Sequence, residues 1–454
     1  MEHAIIVGAG LVGSLLSLYL ARADFKVSIF ERNSDPRQVN LQAGKSINIT
    51  LCERGFQALD AVGVGNLVRE LCIPLYGRII HSKDGQCTYQ PYGNNQEAIY
   101  TIGREDLSRV LLDFSQKYKN IDFYFQQKCI GIDLQTATLE LQELNKGIIT
   151  QVQGQRIFAA DGAYSAIRQK MQRLKRFNYS QEYLEQGYRE IIIPASTEGS
   201  WLLEKNAIHI WPRDNFMLIG FPNLDGSFSL SLHLPYVGKI SHESIKTYEN
   251  IQNLFETYFS DILPLVKSSL KDYCTKPIGD MITVKCFPWT YQDKAALIGD
   301  ACHAIFPYYG QGANAGFEDC QILIKCMEKH PGDWQTIFQT YEKLRKQNMD
   351  VIAHLCSEHF RILRKLVGDP KFLLRNKIER KIQKMYPERS SLYHNITFTC
   401  MPYAEALRIE QKNRFVIDKI MEIDDIEEKL DSPEIELLIS KLVRNLKAPM
   451  LARA

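Results

Sequence analysis

No run of about 18 consecutive apolar residues occurs in this sequence, so no membrane-spanning helix is expected. The apolar start, AIIVGAGLVGSLLSLYL, has no basic leading segment and carries glycines at helix-breaking positions, so it does not read as a signal peptide. The eleven cysteines form no CxxC pair and no Cys/His ligand spacing. Odd in number and dispersed, they fit buried thiols in a reducing cytosol better than a disulfide framework or a zinc site. Charge of one sign is lacking too: the net charge is +2 over 454 residues, without the basic excess of a nucleic-acid-binding chain. The cluster RQKMQRLKR (168–176) reads as a solvated helix face before it reads as an anion contact. What remains is a cytoplasmic globular chain, 45% hydrophobic and 24% charged, too long for a single core. Two or three packed units are expected.

The first 31 residues read as strand, tight turn, helix and strand. AIIV (4–7) is a short β-branched run, GAGLVG (8–13) follows at once, SLLSLYLARA has helical spacing, and KVSIFE (26–31) alternates. A bare GxGxxG is a weak signal, but this one follows a strand, opens a helix and meets an acid, Glu31, at the next strand end. Gly8 permits the turn, Gly10 lets the backbone approach a pyrophosphate, and Gly13 lets helix and strand pack closely. The helix N-terminus supplies amides and a positive dipole end for phosphates, while Glu31 can accept from ribose hydroxyls. This motif alone does not choose between NAD and FAD.

Farther along, GKSINITLCERGFQALDAVGVGNLV (44–68) reads as a strand and an amphipathic helix, and Arg104 stands immediately before a second helix. Arg104 either caps a surface or clamps a phosphate or flavin edge. Asp161-Gly162 ends a strand, as a plain turn or as a loop closing over a cofactor, and a helix begins near Ser165. From 178 to 235 the pattern becomes alternating strands joined by turns such as NLDGS, an antiparallel sheet inserted into the α/β unit. Met217, Ile219 and Phe221 share one face of it, which is core unless that sheet roofs a pocket.

A second glycine cluster lies in GDACHAIFPYYGQGANAGFED (299–319). Gly310, Gly312 and Gly316 free the backbone where something must come close. Asp300 can hold a ribityl or ribose hydroxyl, and amides at a helix start near Ala313 or Asn314 can stabilise negative charge on a ring edge. Two such clusters suit the two ends of one long molecule, with the flavin at the second. A nicotinamide dehydrogenase would not need it.

GxGxxG at 8–13, the Asp161-Gly162 pair and GDACH…P…GQGAN at 299–314 together resemble the three-part signature of the single-component FAD-dependent aromatic hydroxylase family. Within it, GKSINI (44–49), IPLYGRIIHS (73–82), YQPYG (89–93), HIWPRDNFMLIGFPN (209–223) and PYYGQGANAGFEDC (307–320) are similar to the branch acting on L-kynurenine, to about residue 410. The resemblance implies an α/β class (α+β overall). A discontinuous FAD-binding unit would span 1–70, 98–177 and 288–333, with an antiparallel-sheet substrate unit at 71–97 and 178–287 and a helical region at 334–454.

It further implies FAD contacts at Val12, Phe30, Glu31, Arg32, Asn33, Thr50, Arg104, Asp161, Asp300, Gly312, Ala313 and Asn314, beside Gly8, Gly10 and Gly13. Arg78 and Tyr92 would hold the substrate carboxylate, for which a guanidinium fork suits better than a lysine. Tyr393 and His359 would touch substrate, and Pro307, Tyr308, Met217, Ile219 and Phe221 would line the ring pocket. The chain departs from the family where its active-site helix commonly reads Asn-Tyr-x-Glu-Met-Arg. Here HFRILR (359–364) puts His359 for the Asn and Ile362 and Leu363 for the Glu-Met pair, and His233 stands at a usually aromatic position.

The implied reaction is hydroxylation of L-kynurenine, or a similar small aromatic amino acid, by bound FAD with transient NADPH and O2. The family's eukaryotic members often end in a hydrophobic membrane anchor, and none is expected here; a homodimer is compatible. The competing readings are a flavin hydroxylase of another aniline or phenol, motivated by His359 and His233, and a flavin reductase that transfers no oxygen.

Overall fold

The computed structural model describes residues 1–38, 47–93, 97–362 and 369–447. Leu363, and Gly44, Lys45 and Ser46 of the GKSINI segment, lie outside the described residues.

The β-branched run at the start becomes the strand His3–Val7, in the middle of a six-stranded sheet. It pairs in parallel with Lys26–Phe30 on one side and with Arg156–Ala159 on the other, and the latter pairs in parallel with Ala295–Leu297. Parallel central strands are covered on both faces, which is why consecutive residues of these segments are buried, even in Lys26–Phe30 where the sequence alternates. The helix Leu11–Arg22 is likewise buried on nearly every side, from Leu11 through Ala21. The strand register does more than build a core. Val7 lies opposite both Phe30 and Ala159, and Ala159 opposite Leu297, so the four strands end level. Gly8, Asp161 and Gly299 therefore emerge side by side at the carboxyl edge of one sheet, where open α/β sheets place their ligands.

The second large sheet has seven strands, in the order Gly279–Phe287, Asn178–Ile193, Phe228–Pro235, Phe216–Pro222, Ala207–Arg213, Gly77–His81 and Cys87–Pro91. All neighbours are antiparallel except Ala207–Arg213 with Gly77–His81, so the sheet is mixed where a purely antiparallel one was expected. That join comes from two distant stretches of chain, which no hairpin constrains to run oppositely. Period-two alternation gives the sheet a core on each face. Ile208, Ile210 and Met217 face the main core, with Ile219 and Phe221 packed at its margin. Trp211, Phe216, Leu218 and Leu230 face a separate core under the helix Tyr248–Tyr258.

After Asp333, whose carboxylate caps the next helix by accepting from Thr336 N (3.1 Å), the described chain is helical. The long helix Trp334–Arg361 and the start of Tyr403–Met421 pack on the main core. Pro370–Met385, the rest of Tyr403–Met421 and Pro433–Lys447 share a third core of Ile378, Ile382, Val416, Ile420, Ile439 and Val443. Among the described residues no helix is long and apolar enough to cross a membrane, and all eleven cysteines are free.

A buried ionic network ties these parts together. Asp319, in the helix Gly312–Lys329, accepts from Arg345 Nε (2.6 Å), from His303 Nε2 and from the Gly299 amide (3.1 Å). Neighbouring Glu318 pairs with both Arg345 and Arg54, and Arg54 also donates to Met401 O (2.6 Å) over the Tyr403 ring. Burial opposes ionisation of Asp319, but the charges of His303 and Arg345 hold its carboxyl below the usual range. Removing one partner leaves the others charged and unpaired in the interior. We therefore expect Asp319→Ala to cost about 3–5 kcal/mol of unfolding free energy, against under about 0.5 kcal/mol for Glu427→Ala in the exposed Lys377–Glu427 pair. Urea midpoints of the two variants check this.

Candidate functional site

The first glycine loop is shaped by what its side chains would hit. A Cβ on Gly8, whose φ is +99°, would meet Ala160 O at 2.5 Å, and one on Gly13 would meet Gly8 O at 2.0 Å. A Cβ on Gly10 meets nothing within 4 Å. Gly8 and Gly13 are thus packing glycines, whereas Gly10 fronts open space at the N-terminus of Leu11–Arg22, whose first turn holds no acidic residue. The leading amides of a helix have no partners within it and carry its positive end, so this surface suits a pyrophosphate.

Glu31 closes the loop from the next strand. Its Oε2 accepts from Ala9 N (2.9 Å) and its Oε1 from Asn33 N (2.8 Å) and Asn33 Nδ2 (2.7 Å). The carboxylate retains lone pairs for ribose hydroxyls. Arg32 and Asn33 are exposed beside it, and Phe30 is buried in a stack on Tyr124 (4.9 Å). Asp161 accepts from Ala166 N through Oδ2 (2.8 Å), while its Oδ1 is buried without a partner, and burial pushes its carboxyl above the usual range. Asp300 opens the short helix Asp300–His303 with its carboxylate exposed. Arg104 is exposed at the head of Arg104–Ser115, near enough for its charge to act on Tyr188.

The second glycine cluster serves differently from its sequence reading. A Cβ on Gly316 would strike Val12 Cγ2 at 2.5 Å, and one on Gly299 the same atom at 3.0 Å. What comes close to Gly316 is therefore the first loop, not a ligand: Val12 plugs the gap between the two clusters. Gly310, with φ +64°, makes room for Thr50, whose Oγ1 a Cβ would meet at 2.2 Å. Only Gly312 faces open space. Asn314 turns its side chain inward, Nδ2 donating to Thr50 O (2.8 Å) and Gly310 O (2.7 Å) and Oδ1 accepting from Cys52 N (3.0 Å). It holds the loop, and its backbone amide, with those of Gly312 and Ala313, is left for a ligand.

The candidate substrate pocket lies just before this loop. Arg78 donates through Nε to Gln90 Oε1 (2.9 Å); among the described residues its terminal nitrogens have no acceptor. Around it stand Tyr92, Tyr309, His359 and Tyr393, each of which feels the Arg78 charge. Tyr92 stacks on Tyr393 (ring centroids 5.4 Å), Tyr309 packs on His359 (4.7 Å) and on Tyr393 (5.8 Å), and Phe398 closes against Tyr393 (6.2 Å). Burial pushes the Tyr92 phenol up to about 12, Arg78 opposing. Burial and the Arg78 charge together push the His359 imidazole down to about 3, so it is neutral at physiological pH.

Tyr309 was not expected from sequence; Tyr308 was. Tyr308 points to the sheet, its hydroxyl 3.2 Å from His233 Nδ1 and 2.9 Å from Met281 Sδ, its ring stacked on Phe360 (4.5 Å). A 3-10 turn over Pro307–Tyr309 sends adjacent side chains to different sides, which a repeat of tyrosines does not reveal. Pro307 is exposed at its head, Met217 is buried opposite His233, and Ile219, Phe221 and Ile362 are half-buried.

An FAD-binding-domain family model matches residues 2–216. A kynurenine 3-monooxygenase of Flavobacterium johnsoniae is 43% identical over 97% of this chain and 98% of its own length, and one of Dictyostelium discoideum is 37% identical over 96% and 97%. The chain belongs to the kynurenine 3-monooxygenase family. The tetrameric 2-methyl-3-hydroxypyridine-5-carboxylic acid oxygenase superposes with a TM-score of 0.68 at 18% identity, over 82% of this chain and 94% of that one, and shares the fold. An FAD-dependent member of this family fits the loops described: open backbone at Gly10 and Gly312, unpaired helix amides behind each, and an unpartnered Asp161 Oδ1 between them.

Two predictions follow from the packing and the burial. Gly10→Val should fold normally but lose most of its FAD, read as flavin absorbance per protein, whereas Gly13→Val should fail to fold because its side chain has no space. His209 and His233 are held neutral by burial, down to about 4 and about 3. Unfolding exposes them to protonation below their ordinary 6.5, so the stability they allow is full above that pH and is lost as pH falls towards 4. Each adds up to about 1.4 kcal/mol per pH unit to the slope. Urea midpoints should fall between pH 7 and 5, less steeply in His233→Leu.

Proposed function

We propose that this protein hydroxylates L-kynurenine at the ring carbon ortho to its amino group. NADPH and O2 are consumed, and 3-hydroxykynurenine, NADP+ and water are released. The observation that carries the reading is the cage of Arg78, Tyr92, Tyr309, His359 and Tyr393, set against the loop that leads to Gly312. Its one fixed charge is a guanidinium whose terminal nitrogens can fork onto a carboxylate. Its walls are rings, three phenols under the influence of that charge and one neutral imidazole able both to donate and to accept. That suits a small amino acid with an aromatic ketone, carboxylate on Arg78 and ring towards the flavin end.

FAD would be held by the Gly8–Gly13 loop, Glu31, Asp161, Asp300 and the Gly312–Asn314 amides; when bound it supplies reduction by NADPH and delivery of one oxygen atom from O2. The protein's own share is orientation, exclusion of water and electrostatics. Arg78 fixes one end of the substrate, so that its ring can reach only the glycine-lined side. The substrate's amino group already enriches the ortho carbon, so the cage needs to place that carbon more than to activate it. The neutral His359 adds a hydrogen-bond partner without a second positive charge beside Arg78.

The purified protein should be yellow, and NADPH with L-kynurenine should yield a product one oxygen atom heavier. Consumption of NADPH without that product would sink the reading. Arg78→Ala should raise the KM for L-kynurenine by about 100-fold or more, the loss of a charge-assisted bidentate contact, with FAD content unchanged.

A further inference from the structure

Tyr393 sits on the short helix Leu392–Thr397 of the C-terminal region, whereas Tyr92 follows the edge strand Cys87–Pro91 of the large sheet. Their stack closes the cage, so something must register two distant parts of the chain. Stacking alone is slippery: ring pairs are worth about 0.5–1.5 kcal/mol over a broad range of offsets. The next residue along the helix supplies a directional contact. His394 Nε2 lies 2.8 Å from Glu97 Oε1, with both side chains largely covered at 19% and 25% exposure. The same carboxylate rests on the backbone beside Tyr92, since a Cβ on Gly93 would meet Glu97 Oε2 at 2.0 Å and Glu97 Cβ at 2.8 Å. The His394 Nδ1 is buried without a partner, so Glu97 is the only polar tether of that ring among the described residues; Phe398 packs its face at 5.6 Å.

We propose that Glu97 and His394 are a positioning pair that fastens Tyr393 to Tyr92 and so holds the substrate cage shut during turnover. Neither side chain is among the rings around Arg78; the pair acts through the two tyrosines. The proposal rests on the kynurenine reading of the cage and adds a consequence to it. A cage that closes loosely binds the amino acid less well and admits water. More NADPH is then spent on the unproductive reaction NADPH + H+ + O2 → NADP+ + H2O2, in which two electrons pass to oxygen and none of its atoms reaches the ring.

The experiment compares FAD-loaded wild type with Glu97→Ala, His394→Ala, the double variant, Glu97→Gln and Gly93→Ala. It measures the Kd for L-kynurenine from flavin absorbance, the H2O2 formed per NADPH, FAD content and Tm. Each alanine variant at the pair should weaken L-kynurenine binding about five- to tenfold, the loss of a partly covered hydrogen-bonded pair, and raise the H2O2 share. FAD content should stay level, and the double variant should be no worse than either single one. Glu97→Gln keeps an acceptor oxygen and should recover most of the affinity. Gly93→Ala displaces the carboxylate without altering either partner and should reproduce the loss.

Normal wild-type hydroxylation with unchanged affinity and coupling in the variants, or a strictly additive double variant, overturns the pair alone. If Glu97→Ala does not fold, unchanged affinity in Gly93→Ala overturns it equally. A wild type that neither binds nor hydroxylates L-kynurenine removes the functional reading and this role together.

Discussion

The buried Asp319 carboxylate is the constraint from which the rest of the architecture hangs. It gathers the Gly299 amide, His303 and Arg345 around one group, and its neighbour Glu318 extends the cluster through Arg54 to Met401. The parallel sheet, the helix behind the second glycine loop, the long helix Trp334–Arg361 and the turn into Tyr403–Met421 therefore meet at one electrostatic centre. Buried ions are costly unless every partner is in place, so such a centre permits few alternative arrangements. The glycine loop ahead of Asp319 inherits that precision without spending any of its own exposed groups.

From this fixed base the binding surfaces extend in two directions. Strands ending level bring Gly8, Asp161 and Gly299 to one edge, and Val12 wedges into Gly299 and Gly316 to set the spacing of the two loops. The open faces at Gly10 and Gly312 are what is left once every close contact has been filled. On the other side Tyr309 leads from the second loop directly into the Arg78 cage, so the glycine loop and the cage share one short piece of chain. The cage is completed by a helix from the C-terminal region, which makes that region one wall of the cage rather than a mere outer layer.

Several residues were legible in the sequence because their chemistry depends on local spacing. The strand–GxGxxG–helix unit with Glu31, and the N-terminal end of Gly312–Lys329, needed nothing beyond their neighbours along the chain. Other contacts were not legible, for equally physical reasons. Gly316 looked like a ligand approach and is a helix-packing contact for Val12. Asn314 turns its amide side chain to Thr50, Gly310 and Cys52, so only its backbone amide stays open in the loop. Tyr309 was not foreseen beside Tyr308, because a 3-10 turn separates side chains that the sequence sets adjacent.

By itself the sequence determined the cofactor-binding strand–turn–helix, the alternation of the large sheet and the helical character after Asp333, since each follows from periodicity and short-range turn chemistry. Only the tertiary structure decided which rings gather around Arg78, which glycines make room for protein and which front open space, and that His394 reaches Glu97. Those are contacts between groups tens to hundreds of residues apart, and their distances depend on packing that no local pattern encodes.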